Sequence, residues 1–173
     1  MARIRTDFYM GETRVSVLGD ELFVGDEAPQ ATVLDAQTNE SFDFDELKGK
    51  VSLIMAVPSI DTAVCACESQ YFNEEVAKIS GLSTYLVSCD LPFAQTRYAA
   101  EHGLDNIVFL SDHRAASFGT KYGCLIGDVR LLARAVFVVG ADGKLAYVEY
   151  LKQTKNEPDY EAALQVCREL LAE

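Results

Sequence analysis

VSLIMAV at residues 51–57 runs directly into PSIDTAVC at residues 58–65. The first seven residues form an apolar run bounded by Gly49 and Pro58, the pattern of a strand buried on both faces. The second block turns that strand into a helix. The spacing predicts a helix from near Thr62 to about Ser80, with Phe72, Val76 and Ile79 as its inner stripe and Gly81 as the stop behind it.

Working outward, TYLVSC (84–89) and IVFL (107–110) read as further buried strands. A helix from Pro92 to His102, closed by Gly103, separates them. A short helix over Ala115–Tyr122 and a loop then lead to Arg134. ARAVFVV and KLAYVEY flank Gly140-Ala141-Asp142-Gly143, a hairpin signal because Asp-Gly accepts positive φ. The last helix is expected from Pro158 to Leu171, with Tyr160, Leu164, Cys167 and Leu171 on one face. At the other end, DFY and RVSV around Met10-Gly11-Glu12 predict a small hairpin. This order describes an α/β chain: a three-layer α/β/α sandwich with a mixed sheet, in the order of a thioredoxin-like fold. The expected organisation is one domain over 1–173, with residues 1–27 as an N-terminal hairpin extension.

Composition narrows the function. With 15 basic against 27 acidic residues the formal charge is −12, which repels phosphate backbones and anionic lipid. Nucleic acid and membrane surfaces are therefore excluded as expected partners. No apolar stretch approaches the roughly 18 residues of a membrane span, and the first residues lack an apolar leader core, so a cytoplasmic protein is expected. Five cysteines are an odd number in a chain able to build its own core, which argues against a secreted disulfide framework. His102 and His113 are too few, and too far from any cysteine pair, for a zinc site.

Chemistry concentrates at the strand-to-helix turn. With Thr62 as the cap, Cys65 is the third helical residue, where unpaired backbone N–H groups and the helix dipole favour negative charge. That placement lowers a thiol pKa from about 8.5 toward roughly 3.5–7.5 when other groups help. A small apolar cysteine in a capped helix is the bland alternative. Arg134 favours the reactive reading. It stands before AVFVV, which is expected to run antiparallel to and beside residues 51–57, so its side chain is expected in the same crevice as Cys65. A surface arginine paired with a carboxylate explains less well why a charge sits at the edge of a buried strand.

Pro58, Thr62 and Cys65 with Arg134 downstream resemble the peroxiredoxin active site. The fuller resemblance is to the bacterial thiol peroxidases, the atypical two-cysteine peroxiredoxins. DLPFAQTR at 90–97, ARAV at 133–136 and EPDYEAAL at 157–164 carry it together with PSIDT, in the family's order and from about Ala28 to the C-terminus. The resemblance implies a thioredoxin-like peroxiredoxin fold and reduction of hydrogen peroxide and organic hydroperoxides without a cofactor or metal. Cys65 would be the peroxidatic cysteine, Thr62 would hold the peroxide, Arg134 would stabilise the thiolate and the breaking O–O bond, and Pro58 would shield the sulfur. It also implies thioredoxin or another thiol as reductant, and a homodimer.

One departure bears on recycling. Where the family carries its resolving cysteine, this sequence reads Arg97-Tyr98-Ala99, and the CLIGDVRLL loop before Arg134 is a few residues shorter. Cys89, at the end of a strand expected beside residues 51–57, is then the internal candidate for resolution. Direct reduction by an external thiol is the alternative. A peroxide-sensing redox switch without efficient turnover is the rival function. A disulfide oxidoreductase lacks the required C-x-x-C pair, and a metal carrier using Cys65 and Cys67 fails because residues two apart on a helix diverge.

Overall fold

The computed structural model describes residues 3–172, with backbone alone for residues 63–67. The elements follow the alternation of the sequence closely. Strands β1 (Ile4–Met10) and β2 (Thr13–Leu18) form the expected hairpin, with Gly11 at φ +64° in its turn. Two strands that the sequence reading left out come next, β3 (Thr32–Asp35) and β4 (Ser41–Asp43). A 3₁₀ turn over Phe44–Leu47 follows them. Each of these strands is only three or four residues long, too short for an alternation pattern to stand out.

β5 (Ser52–Ala56) is buried along its whole length, as the apolar run predicts, and hands over to α1 (Ala63–Val76). α1 stops short of the expected Ser80. Lys78 N–H bonds to Glu75 C=O and Ile79 N–H to Val76 C=O, so the chain tightens to i→i+3 turns before reaching Gly81. β6 (Ser83–Ser88), α2 (Pro92–His102), β7 (Val108–Ser111) and α3 (Ser117–Lys121) complete the central part. Gly103 closes α2 in the left-handed conformation at φ 63°. The loop predicted before Arg134 instead carries two short strands, β8 (Leu125–Ile126) and β9 (Leu131–Leu132). β10 (Ala135–Val139), β11 (Leu145–Tyr150) and α4 (Tyr160–Leu171) end the chain. Asp159 caps α4 by accepting Ala162 N–H at 3.0 Å.

The main sheet has the order β11-β10-β5-β6-β7-β3-β4. β5, β6 and β7 are parallel neighbours and the other pairs are antiparallel, which makes the sheet mixed. Alternation along the central strands sorts the core into two layers. Leu53, Met55, Val57 and Leu86 pack with Phe72 of α1, Tyr98 of α2 and Leu164 of α4. Ile54, Ala56 and Val87 face the other way, toward Phe44, Phe118 and Tyr122. The rings of Phe118 and Tyr122 stack there at 4.4 Å. A second sheet, β1-β2-β8-β9, joins the N-terminal hairpin to the segment ahead of Arg134. The fold is thus the three-layer, thioredoxin-like α/β/α sandwich expected from the sequence.

Candidate active site

The site lies where parallel strands end and α1 begins. Val57 N–H donates to Val87 C=O at 3.0 Å, extending the β5–β6 ladder by one bond before Pro58 ends it. Pro58 is buried, and Thr62 is exposed with its Oγ1 donating to Ser59 C=O at 3.4 Å. α1 starts at Ala63, directly after Thr62, so Cys65 is its third residue, as predicted. The side chains of Cys65 and Cys67 lie outside the described residues. The register Ala135↔Ala56 puts Arg134 beside the end of β5. Pro58, Thr62 and Arg134 then line one cavity of about 430 Å³ together with Leu131 and Thr154. Three of the residues singled out from the sequence therefore converge on a single pocket.

Arg134 is 1% exposed, and among the described residues Thr154 and Glu68 hold its guanidinium. Nε donates to Thr154 C=O at 3.2 Å, and Nη1 pairs with the Glu68 carboxylate. Glu68 stands on α1 one turn beyond Cys65 and is fully buried. Burial pushes its carboxyl up to about 7, while the adjacent Arg134 pulls in the opposite direction. One carboxylate oxygen, Oε1, has no hydrogen-bond partner among the described residues. The sequence reading missed Glu68. Its signal was a charged residue three positions after the cysteine on the helix, available to the same arginine.

The N-terminal hairpin also belongs to the pocket, which the expectation of a separate extension did not anticipate. Tyr9 N–H donates to Lys152 C=O at 2.7 Å, and Thr154 N–H donates to Tyr9 C=O at 3.0 Å. The Gln153 side chain bonds both ways to the Gly11 backbone, at 3.0 and 2.8 Å. These bonds seat Met10 and Gly11 in the pocket wall, next to Lys155.

The remaining cysteines occupy different surroundings. Cys89 follows the last residue of β6 and is half-buried. Ser88 turns toward α2, accepting from Gln95 Nε2 at 2.9 Å, so the next side chain, that of Cys89, packs against the opposite core layer. Burial, reinforced by the Asp112 charge, pushes the Cys89 thiol up to about 12. Cys124 is buried with its thiol raised, and Cys167 is buried on the inner face of α4 with its thiol pushed up to about 12. Neither of these two has the acidic character of a thiol at a helix start. Ala99, where the family's resolving cysteine would stand, lies half-buried on α2 against the layer that holds α1.

Known proteins resemble this chain in sequence and in fold. The redoxin family profile matches residues 23–164. A thiol peroxidase of Halalkalibacterium halodurans is 49% identical over 91% of this chain and 94% of its own length. A peroxiredoxin-like protein from Aquifex aeolicus superposes with a TM-score of 0.88 at 36% identity, covering 97% of this chain and 99% of that one. A thiol peroxidase from Chromobacterium violaceum gives a TM-score of 0.84 at 25% identity, over 94% of this chain and 97% of its own.

Proposed function

This chain belongs to the redoxin family and to its thiol peroxidase branch, and from that premise we propose that Cys65 is the peroxidatic nucleophile of this thiol peroxidase. The Cys65 thiolate attacks the distal oxygen of a hydroperoxide, forming an S–O bond as the O–O bond breaks. The leaving oxygen takes up a proton and departs as water or an alcohol, and sulfur, oxidised by two electrons, becomes a sulfenic acid. Thr62 holds the peroxide through its hydroxyl, and Arg134 stabilises first the thiolate and then the charge developing across the breaking bond. Pro58 shields the sulfur. Two equivalents of an external thiol, for which thioredoxin is the proposed donor, return the sulfenic acid to a thiol with release of water and a disulfide.

The observation that carries this reading is the convergence of Pro58, Thr62 and Arg134 on one pocket beside the first turn of α1. The enzyme is proposed to work as a homodimer in the reducing cytoplasm. Cys65→Ser is expected to abolish peroxide consumption and Cys167→Ser to leave it nearly unchanged. Full activity in the Cys65 variant would sink the assignment.

Ala99 at the usual resolving position favours a second reading, in which Cys65 oxidation signals and does not turn over. Multiple turnovers with thioredoxin, glutathione or a glutaredoxin as donor would exclude the switch. A single stoichiometric oxidation with all three would support it.

A further inference from the structure

The DLPFAQTR block begins with a carboxylate that the chemistry above does not use. Asp90, in the turn between β6 and α2, reaches across to the loop that leads into α1. Its Oδ1 accepts Ser59 Oγ–H at 2.9 Å, and its Oδ2 accepts Ile60 N–H at 3.0 Å and Ser88 Oγ–H at 2.6 Å. Ile60 is only 2% exposed, so without Asp90 its backbone donor loses its partner in a buried place. Ser59 passes the restraint along the turn: its Oγ accepts Asp61 N–H at 3.2 Å, and its carbonyl accepts Thr62 Oγ1–H at 3.4 Å.

Asp90 is itself anchored from below. Ser111 Oγ donates to its carbonyl at 2.5 Å. Buried Gln95 donates from Nε2 to Ser88 Oγ and to Leu110 C=O, each at 2.9 Å. The ends of β6 and β7 and the first turn of α2 therefore form one hydrogen-bonded base, and Asp90 is the group that joins it to residues 59–60.

We infer that Asp90 is a positioning residue for the peroxidatic turn. Its carboxylate clamps Ser59 and Ile60 so that Thr62 and the first turn of α1 meet Arg134 in attack geometry. The inference rests on Cys65 being the nucleophile.

The test pairs Asp90→Ala with Asp90→Asn. The amide can keep all three contacts by turning Oδ1 toward Ile60 N–H and Ser88 and donating from Nδ2 to Ser59 Oγ. Asp90→Ala is expected to lower kcat/KM for hydrogen peroxide by about 10- to 100-fold, as for a small misplacement of reacting groups. The pH profile of Cys65 alkylation is expected to move upward at the same time. Asp90→Asn is expected to restore both to within about fivefold of wild type, because geometry and not charge is what matters. A merely structural residue would lower the melting temperature and leave the pH profile of the folded enzyme unmoved. If Asp90→Ala does not fold, Ser59→Ala removes one arm of the clamp, and a lower rate with an upward pKa shift is expected there. Wild-type kinetics and pH profile in Asp90→Ala or in Ser59→Ala, or an Asp90→Asn as damaged as Asp90→Ala, would overturn the inference. Peroxide consumption persisting in Cys65→Ser would instead overturn the underlying assignment of the nucleophile.

Discussion

Arg134 and Glu68 form a buried ion pair inside the site, and each constrains what the other can do. The carboxylate holds the guanidinium in place while drawing on the positive charge that the proposed Cys65 thiolate needs. Arg134→Met keeps most of the apolar bulk and removes that charge. The Cys65 thiol pKa is expected to rise toward the free value of about 8.5, with a fall of about a hundredfold or more in the peroxide rate. Stopped-flow peroxide reduction and alkylation against pH measure the two, and an unchanged profile would show that Arg134 acts elsewhere. The same change leaves a buried carboxylate without its cation, a loss of about 3–5 kcal/mol that protonation of Glu68 relieves in part. Arg134→Met/Glu68→Gln is accordingly expected to be more stable than Arg134→Met alone.

Glu68 makes a separate prediction from its own titration. Its folded pKa of about 7 lies above the ordinary 4.5, so the folded state binds the extra proton between those values. The stability this contributes is fully present below pH 4.5 and is lost as the pH rises through about 7. Glu68→Gln, which keeps the protonated shape at every pH, removes that dependence. The melting temperature of Glu68→Gln minus that of wild type is expected to increase from pH 4.5 to 7.5. A flat difference across that window would show that Glu68 stays ionised in the fold.

At the scale of elements, the N-terminal hairpin meets α3 through two close backbone approaches. Gly19, at φ +103°, has no room for a side chain: a Cβ there would lie 2.2 Å from Thr120 O and 2.9 Å from Gly123 Cα. Gly123, at φ +66°, would meet Asp20 O at 2.3 Å. Gly19→Ala must therefore push β2 away from α3, at a cost of about 1–3 kcal/mol. The hairpin tip supplies Met10 and Gly11 to the pocket, so the displacement is expected to reach the substrate. Turnover of a bulky organic hydroperoxide is expected to fall more than that of hydrogen peroxide, which needs less of the wall. Equal effects on both substrates would separate the hairpin from specificity. The hairpin itself was legible in the sequence from its alternation around Gly11. Its role was not, because the bonds from Tyr9 and Gly11 reach residues 152–154, 142 positions away for the Gly11–Gln153 pair.

Across the whole molecule, the sheet separates α1 from Cys89. α1 packs on one core layer through Phe72 and Val76, and Cys89 packs on the other. A disulfide requires Cα atoms about 4.4–6.8 Å apart and converging side chains, so joining Cys65 to Cys89 needs the end of β6 to turn over as well as α1 to open. The thiol of Cys89, raised to about 12, is also a poor attacking group at neutral pH. Oxidation with one equivalent of hydroperoxide, followed by alkylation and digestion, is expected to give a sulfenic or sulfinic Cys65 beside free, alkylated Cys89. A peptide linking Cys65 to Cys89 would establish internal resolution instead.

What the chain determines by itself is local in origin. The buried strand 51–57, the proline that ends it and the helix that begins after Thr62 follow from hydrophobic patterning and backbone chemistry within fifteen residues. Arg134 entered the site by one further step, the expected antiparallel pairing of its strand with that first one, which the observed register bears out. The tertiary structure alone decided the partners that come from distant places. Glu68 looks like any helical carboxylate until Arg134 is buried against it, and Asp90 looks like a turn residue until Ser59 and Ile60 are placed within its reach. The face occupied by Cys89 likewise followed from where β6 ends, since a shift of one residue turns a strand side chain to the other layer. Periodicity reports which residues are buried. Only packing and strand register set which buried groups meet.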